Sequence, residues 1–146
     1  MNAGKLLALT LLTLLLPTLA AAQGMERSNA PEDARVYFIT PNDGETVTSP
    51  VTVRFGLEGM GVAPAGIDKD MTGHHHLLID VDDSNMPSLD MPLPTSDHVV
   101  HFGGGQTEVS IELEPGQHSL QLLLGDHRHV PHDPAVMSEK ITIVVE

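Results

Sequence analysis

The stretch Thr107–Leu124, T-E-V-S-I-E-L-E-P-G-Q-H-S-L-Q-L-L-L, decides the fold. Val109, Ile111 and Leu113 alternate with Glu108, Ser110 and Glu112, then Pro115-Gly116 breaks the run, and Leu120, Leu122 and Leu124 share one face beyond it. A period of two places successive side chains on opposite faces of an extended strand, and Pro-Gly marks a tight turn. The same period recurs in both directions along the chain. It predicts strands over Arg35–Ile39, Val51–Leu57, His74–Val81, His98–Phe102, Thr107–Leu113, Gln117–Leu124 and Ser138–Val145. Pro41-Asn42-Asp43-Gly44 closes the first, and no segment carries a helical repeat. The connections Glu58–Gly73, Asp82–Asp97 and Gly125–Val136 are long and rich in Gly or Pro.

Seven short strands with turns between them point to an all-β, antiparallel immunoglobulin-like β-sandwich, with a seven- or eight-stranded barrel or jelly roll as the alternative. The buried Trp and paired Cys of true immunoglobulin domains are absent, and the single Tyr, Tyr37, lies in the first strand. Residues 34–146 are expected to form this one domain, preceded by a polar, disordered lead-in at 23–33. Residues 1–22 read as a signal peptide. Lys5 precedes the apolar run Leu6–Leu16, and Ala20-Ala21-Ala22 offers a small-x-small cleavage site after Ala22. The apolar run is short for a membrane span of roughly 20 residues. The expected location is therefore periplasmic or secreted, with no membrane attachment after cleavage.

Composition excludes much. The chain has 146 residues, 20 Asp and Glu against 7 Lys and Arg, and a net charge of −13. Nucleic acid needs clustered Lys and Arg, so it is excluded as a partner. With no Cys there are no disulfides, thiolate metal sites or thiol nucleophiles. The sequence holds no G-x-S-x-G or H-E-x-x-H motif, so the reading leans away from an enzyme.

What remains is nine histidines, eight of them in Gly73-His74-His75-His76, Asp97-His98-Val99-Val100-His101 and Asp126-His127-Arg128-His129-Val130-Pro131-His132-Asp133. On a strand, residues i and i+2 share a face about 6.6–6.8 Å apart. His74 and His76 can thus reach one ion, and His127 and His129 repeat the spacing. In a sandwich the loops following the second, fourth and sixth strands gather at one end, so these segments converge on one rim. Neutral imidazoles suit copper or zinc, held by His74, His76, His127 and His129, with His101 and His132 as further candidates and Asp126 or Asp133 as oxygen ligand or orienting group. Binding should weaken as pH falls through the imidazole range near 6.5. His75 and His118 alternate with core positions and read as core residues. Against the metal stands a structural or protein-interaction domain, contacting another periplasmic protein, whose histidines form a loop-stabilising polar network. The acidic group Asp80, Asp82, Asp83 and Asn85 lacks the pattern of a calcium loop and reads as solvated.

The segments V-Y-F-I-T-P-N-D-G, T-G-H-H-H-L-L-I-D, H-F-G-G-G-Q-T-E and L-L-L-G-D-H-R-H-V-P-H-D-P together resemble the bacterial family catalogued as domain of unknown function 4399, across Arg35–Val145. The resemblance implies a small exported domain with G-H-H-H and G-D-H-x-H-x-P-H-x-P as its signature. It implies no activity.

Overall fold

The computed structural model describes residues 24–146. The expected signal peptide, 1–22, lies outside the described residues. Among the described residues there are nine strands and no helix: β1 (Arg35–Thr40), β2 (Thr46–Val47), β3 (Val51–Glu58), β4 (Gly61–Val62), β5 (Thr72–Ile79), β6 (Val99–His101), β7 (Glu108–Ile111), β8 (Gly116–Gly125) and β9 (Ile141–Val145). Nine strands correct the expected seven. The two additions, β2 and β4, are two residues long, too short to carry any periodicity.

The strands form two sheets. One is antiparallel with order β1-β3-β7, and the other has order β2-β9-β8-β5-β4 with β6 also paired to β5. β2 runs parallel to β9 and β4 parallel to β5, so the second sheet is mixed rather than purely antiparallel.

One core joins the two sheets. Val36 of β1 and Val51, Val53 and Phe55 of β3 meet Leu77 and Ile79 of β5, Leu120, Leu122 and Leu124 of β8, and Ile141, Ile143 and Val145 of β9. Every second residue of each strand faces inward, as the alternation dictates. Each fully buried aliphatic side chain contributes roughly 1.5–3 kcal/mol relative to an exposed one.

The larger sheet is covered on its outer face as well. There Leu78 of β5, Leu123 of β8 and Val99 of β6 pack with Val81 and Leu93, and with the partly buried Met86 and Leu89. The Pro-rich connection between β5 and β6 thus closes over the sheet. Central strands buried on both faces lose their polar half, which explains why Leu77-Leu78-Ile79 and Leu122-Leu123-Leu124 are unbroken apolar runs.

The polar lead-in is tied down from Met25 to Ala30. Met25 N–H donates to the Asp90 carbonyl, Ala30 N–H to Asp133, and Asp133 N–H back to Ser28. The Arg27 guanidinium donates to the carbonyls of Pro131 (3.0 Å) and His132. This segment straps the connection between β8 and β9.

Candidate metal centre

Strand β5 presents His75, Leu77 and Ile79 to the inter-sheet core and His74, His76 and Leu78 to the outer face. The cluster therefore forms at the end of the larger sheet but on its outer face, rather than on a rim of the inter-sheet core. His76 lies directly opposite His101 in the β5–β6 register, so both imidazoles share that outer face. Two glycines allow the close packing here, Gly125 beneath the His76 ring and Gly73 against the β8 backbone. A Cβ on Gly125 would lie 2.5 Å from His76 Cε1, and one on Gly73 would lie 2.7 Å from the Gly125 carbonyl oxygen.

The third imidazole arrives from the turn after β8. His129 N–H donates to the Asp126 carbonyl (2.9 Å) and Asp126 N–H to the Val130 carbonyl (2.9 Å), while Gly125 bridges Pro131. Asp126, 2% exposed, organises this turn: its Oδ1 accepts the N–H groups of Arg128 (2.8 Å) and Val130 (3.0 Å), and its Oδ2 accepts Ser28 Oγ–H (2.8 Å) and the Arg128 guanidinium (3.0 Å). Burial alone would raise the Asp126 carboxyl, but these donors bring it down to about 2. The turn leaves His129 at φ +66°, a left-handed conformation that glycine favours and other residues seldom adopt.

With that backbone, His129 Nδ1 stands 2.9 Å from His74 Nε2 and 3.3 Å from His76 Nε2. One donor atom from each of the three residues falls within 4.8 Å of the others, the one such group among the described residues. Nitrogens each about 2.0–2.1 Å from one ion stand about 2.9 Å apart at a right angle and about 3.3 Å at the tetrahedral angle. The spacing suits a shared ion. His74 and His76 are fully buried, and their Nδ1 atoms make no hydrogen bond. Burial, reinforced by His129 and His101 nearby, lowers His74 to about 4; burial and the neighbouring His74, His101 and His129 lower His76 to about 2. Both rings are neutral, as ligands must be. Proton competition for them begins well below the 6.5 expected of free imidazoles.

The other expected ligands are placed differently. His101 packs against the triad, its ring centre 4.5 Å from His76 and 4.7 Å from His129, and its Nε2–H donates to the Pro94 carbonyl (2.9 Å). His127 turns away, with Nδ1 3.4 Å from Asp68. The reason is the turn: beside a left-handed residue, 127 and 129 do not share a face as they would on a strand. His132 is buried, its Nε2–H donating to the Thr72 carbonyl (3.1 Å). Asp133 pairs with Arg27 at 3.5 Å. His75 stacks on Phe55 in the core with ring centres 5.0 Å apart, and burial lowers it to about 4. His118 lies at the core's edge rather than inside it, Nδ1 2.8 Å from Asp80 Oδ2. Asp82 is spent on a turn, accepting the Ser84 N–H and hydroxyl.

Sequence spacing missed Leu93 and Pro94. Leu93 N–H donates to the His129 carbonyl (3.0 Å), next to the Pro94 carbonyl that holds His101. Their signal was only that a Pro-rich connection runs there.

Fold and cluster together define an all-β domain with a three-imidazole group, two of its rings fully buried, on the outer face of one sheet. The chain belongs to the family described as "Domain of unknown function (DUF4399)", whose model matches residues 53–146. The match takes in His74, His76, His101 and His129 but begins inside β3. No curated protein and no solved structure matches the chain.

Proposed function

We propose that this chain is an exported, periplasmic domain that binds one copper or zinc ion through His74, His76 and His129. The observation that carries the reading is the convergence of three ring nitrogens at 2.9 and 3.3 Å, two of them on fully buried, neutral imidazoles. The donor set is all imidazole, which suits borderline divalent ions rather than calcium or magnesium. Export rests on Lys5, Leu6–Leu16 and Ala20–Ala22. No helix among the described residues is long and apolar enough to cross a membrane. We read the domain as an immunoglobulin-like sandwich, a reading that the orders β1-β3-β7 and β9-β8-β5 support.

The rival is a polar network without metal, favoured by the 2.9 Å contact, which in the absence of an ion is an N–H···N bond. His129 Nδ1 carries a single proton or a single lone pair, so a network without an ion completes only one of its two contacts, to His74 Nε2 and His76 Nε2, and this weighs against it. Chelation separates the two. A bound ion at 100 times its Kd adds about 2.7 kcal/mol of stability. Purified protein loaded with Zn(II) or Cu(II) should therefore lose several degrees of melting temperature on chelation and regain them on reloading. A melting temperature indifferent to chelator, with no calorimetric binding tighter than micromolar, would sink the reading.

A further inference from the structure

The geometry points to His101 as a fourth ligand that closes this site, making it a holding site for a divalent ion rather than an open metal centre for catalysis. The inference rests on the three-histidine reading above. Its first support is spacing. The ring centres of His74 and His76, His74 and His129, His76 and His101, and His101 and His129 are 4.6, 4.7, 4.5 and 4.7 Å apart. Four imidazoles thus form one cluster in which His101 packs on His76 and His129 as closely as His74 does.

The second support is the hydrogen bond on the far side of the ring. A metal-bound imidazole characteristically donates its other N–H to a carbonyl or carboxylate, which fixes the tautomer and aims the bare nitrogen at the ion. His101 has this arrangement already: Nε2–H is spent on the Pro94 carbonyl, so Nδ1 carries the lone pair.

The third support is placement. His74 and His76 are fully buried, while His101 and His129 are partly exposed and occupy the solvent side of the cluster. The Leu93–Pro94 backbone fastens both, His129 through its carbonyl and His101 through its ring. Without an ion, His101 stays outside the group of three whose ligand atoms fall within 4.8 Å of one another, so ligation requires its ring to pivot toward them about the retained Nε2–H bond to Pro94. Sites with four protein ligands hold an ion; catalytic ones keep a position for water. Asp126, the buried carboxylate of the turn that carries His129, offers no free oxygen to act as a general base, since both are committed to the turn.

The test is Co(II) titration of the full mature protein, read by visible absorption, because four-coordinate nitrogen ligation gives intense bands and higher coordination weak ones. Wild type should give the intense spectrum. His101→Ala should bind at least about tenfold more weakly, the scale on which even outer-shell partners of a metal ligand act. It should also show weakened bands that added imidazole restores by filling the vacated place. His127→Ala should match wild type. Unchanged affinity and spectrum in a folded His101→Ala protein would overturn the fourth ligand and leave the three-histidine site standing. Failure of wild type to bind Co(II), Zn(II) or Cu(II) would overturn both.

Discussion

At the scale of single residues, the most informative is His129, because it occupies a backbone position that favours glycine. A non-glycine residue in the left-handed region costs roughly 1–2 kcal/mol, and the turn Asp126–Val130 would form as well with glycine there. The strain delivers an imidazole against His74 and His76, and strain of this kind is retained where function needs it. The prediction is a reversal of the ordinary order of substitutions. Both His129→Ala and His129→Gly should lose metal affinity, but the glycine variant should be the more stable by about 1 kcal/mol. Denaturant unfolding of the two metal-free proteins reads this directly. An alanine variant equal to or more stable than the glycine one would show that φ +66° is not being imposed on the histidine.

At the scale of elements, the alternating strands were legible and the shortest were not. Val51–Leu57 and Thr107–Leu113 announce themselves because one face of each meets the core and the other meets water. β2 and β4 are held by parallel pairing to β9 and β5, a tertiary event with no local trace. The site divides the same way. His74 and His76 follow from strand geometry, and His101 from strand pairing. The separation of His127 and His132 from the group depends on a turn whose left-handed residue is a histidine, where the sequence offers no glycine to mark it.

His118 shows a further effect that strand periodicity hides. It lies in β8 at the edge of the core, where Nδ1 meets Asp80 Oδ2 at 2.8 Å and Nε2 meets the Glu114 carbonyl at 2.9 Å. Two acceptors call for two N–H donors, which only the protonated ring supplies. Burial opposes the charge, yet Asp80 and Glu114 raise the pKa above 6.5. A raised folded-state pKa contributes stability that is fully present below the unfolded value near 6.5 and is lost as pH rises through the folded value. His118→Gln should therefore destabilise the protein by about 0.5–1 kcal/mol below pH 6, the range of a partly exposed pair. The difference should shrink toward pH 9. A cost that is constant or grows with pH would mean the neutral ring is the stabilising form.

At the scale of the whole molecule, surface and site divide the labour of recognition. Acidic groups outnumber basic ones 20 to 7, so the field around the protein draws in cations of every kind and speeds their encounter. In the proposed function the imidazole cluster then selects, because imidazole nitrogen binds copper and zinc well and the hard cations poorly. Selection requires that His129 stay where β5 needs it, and its turn lies far along the chain from His74 and His76. The N-terminal strap supplies that constraint. Arg27, with its side chain 21% exposed, donates to the carbonyls of Pro131 and His132 and pairs with Asp133, while Ser28 reaches Asp126. Hydrogen bonds from a charged donor contribute about 1.5–3 kcal/mol. Arg27→Ala should lower stability by that order and, by loosening the turn, speed release of the ion to a chelator in stopped-flow measurements. Arg27→Lys keeps the charge but not the planar fork that spans several acceptors, so it should recover only part of each loss. If Arg27→Ala lowers the melting temperature but leaves the release rate at the wild-type value, the strap supports the fold alone, and the β8–β9 turn holds His129 by itself through Asp126.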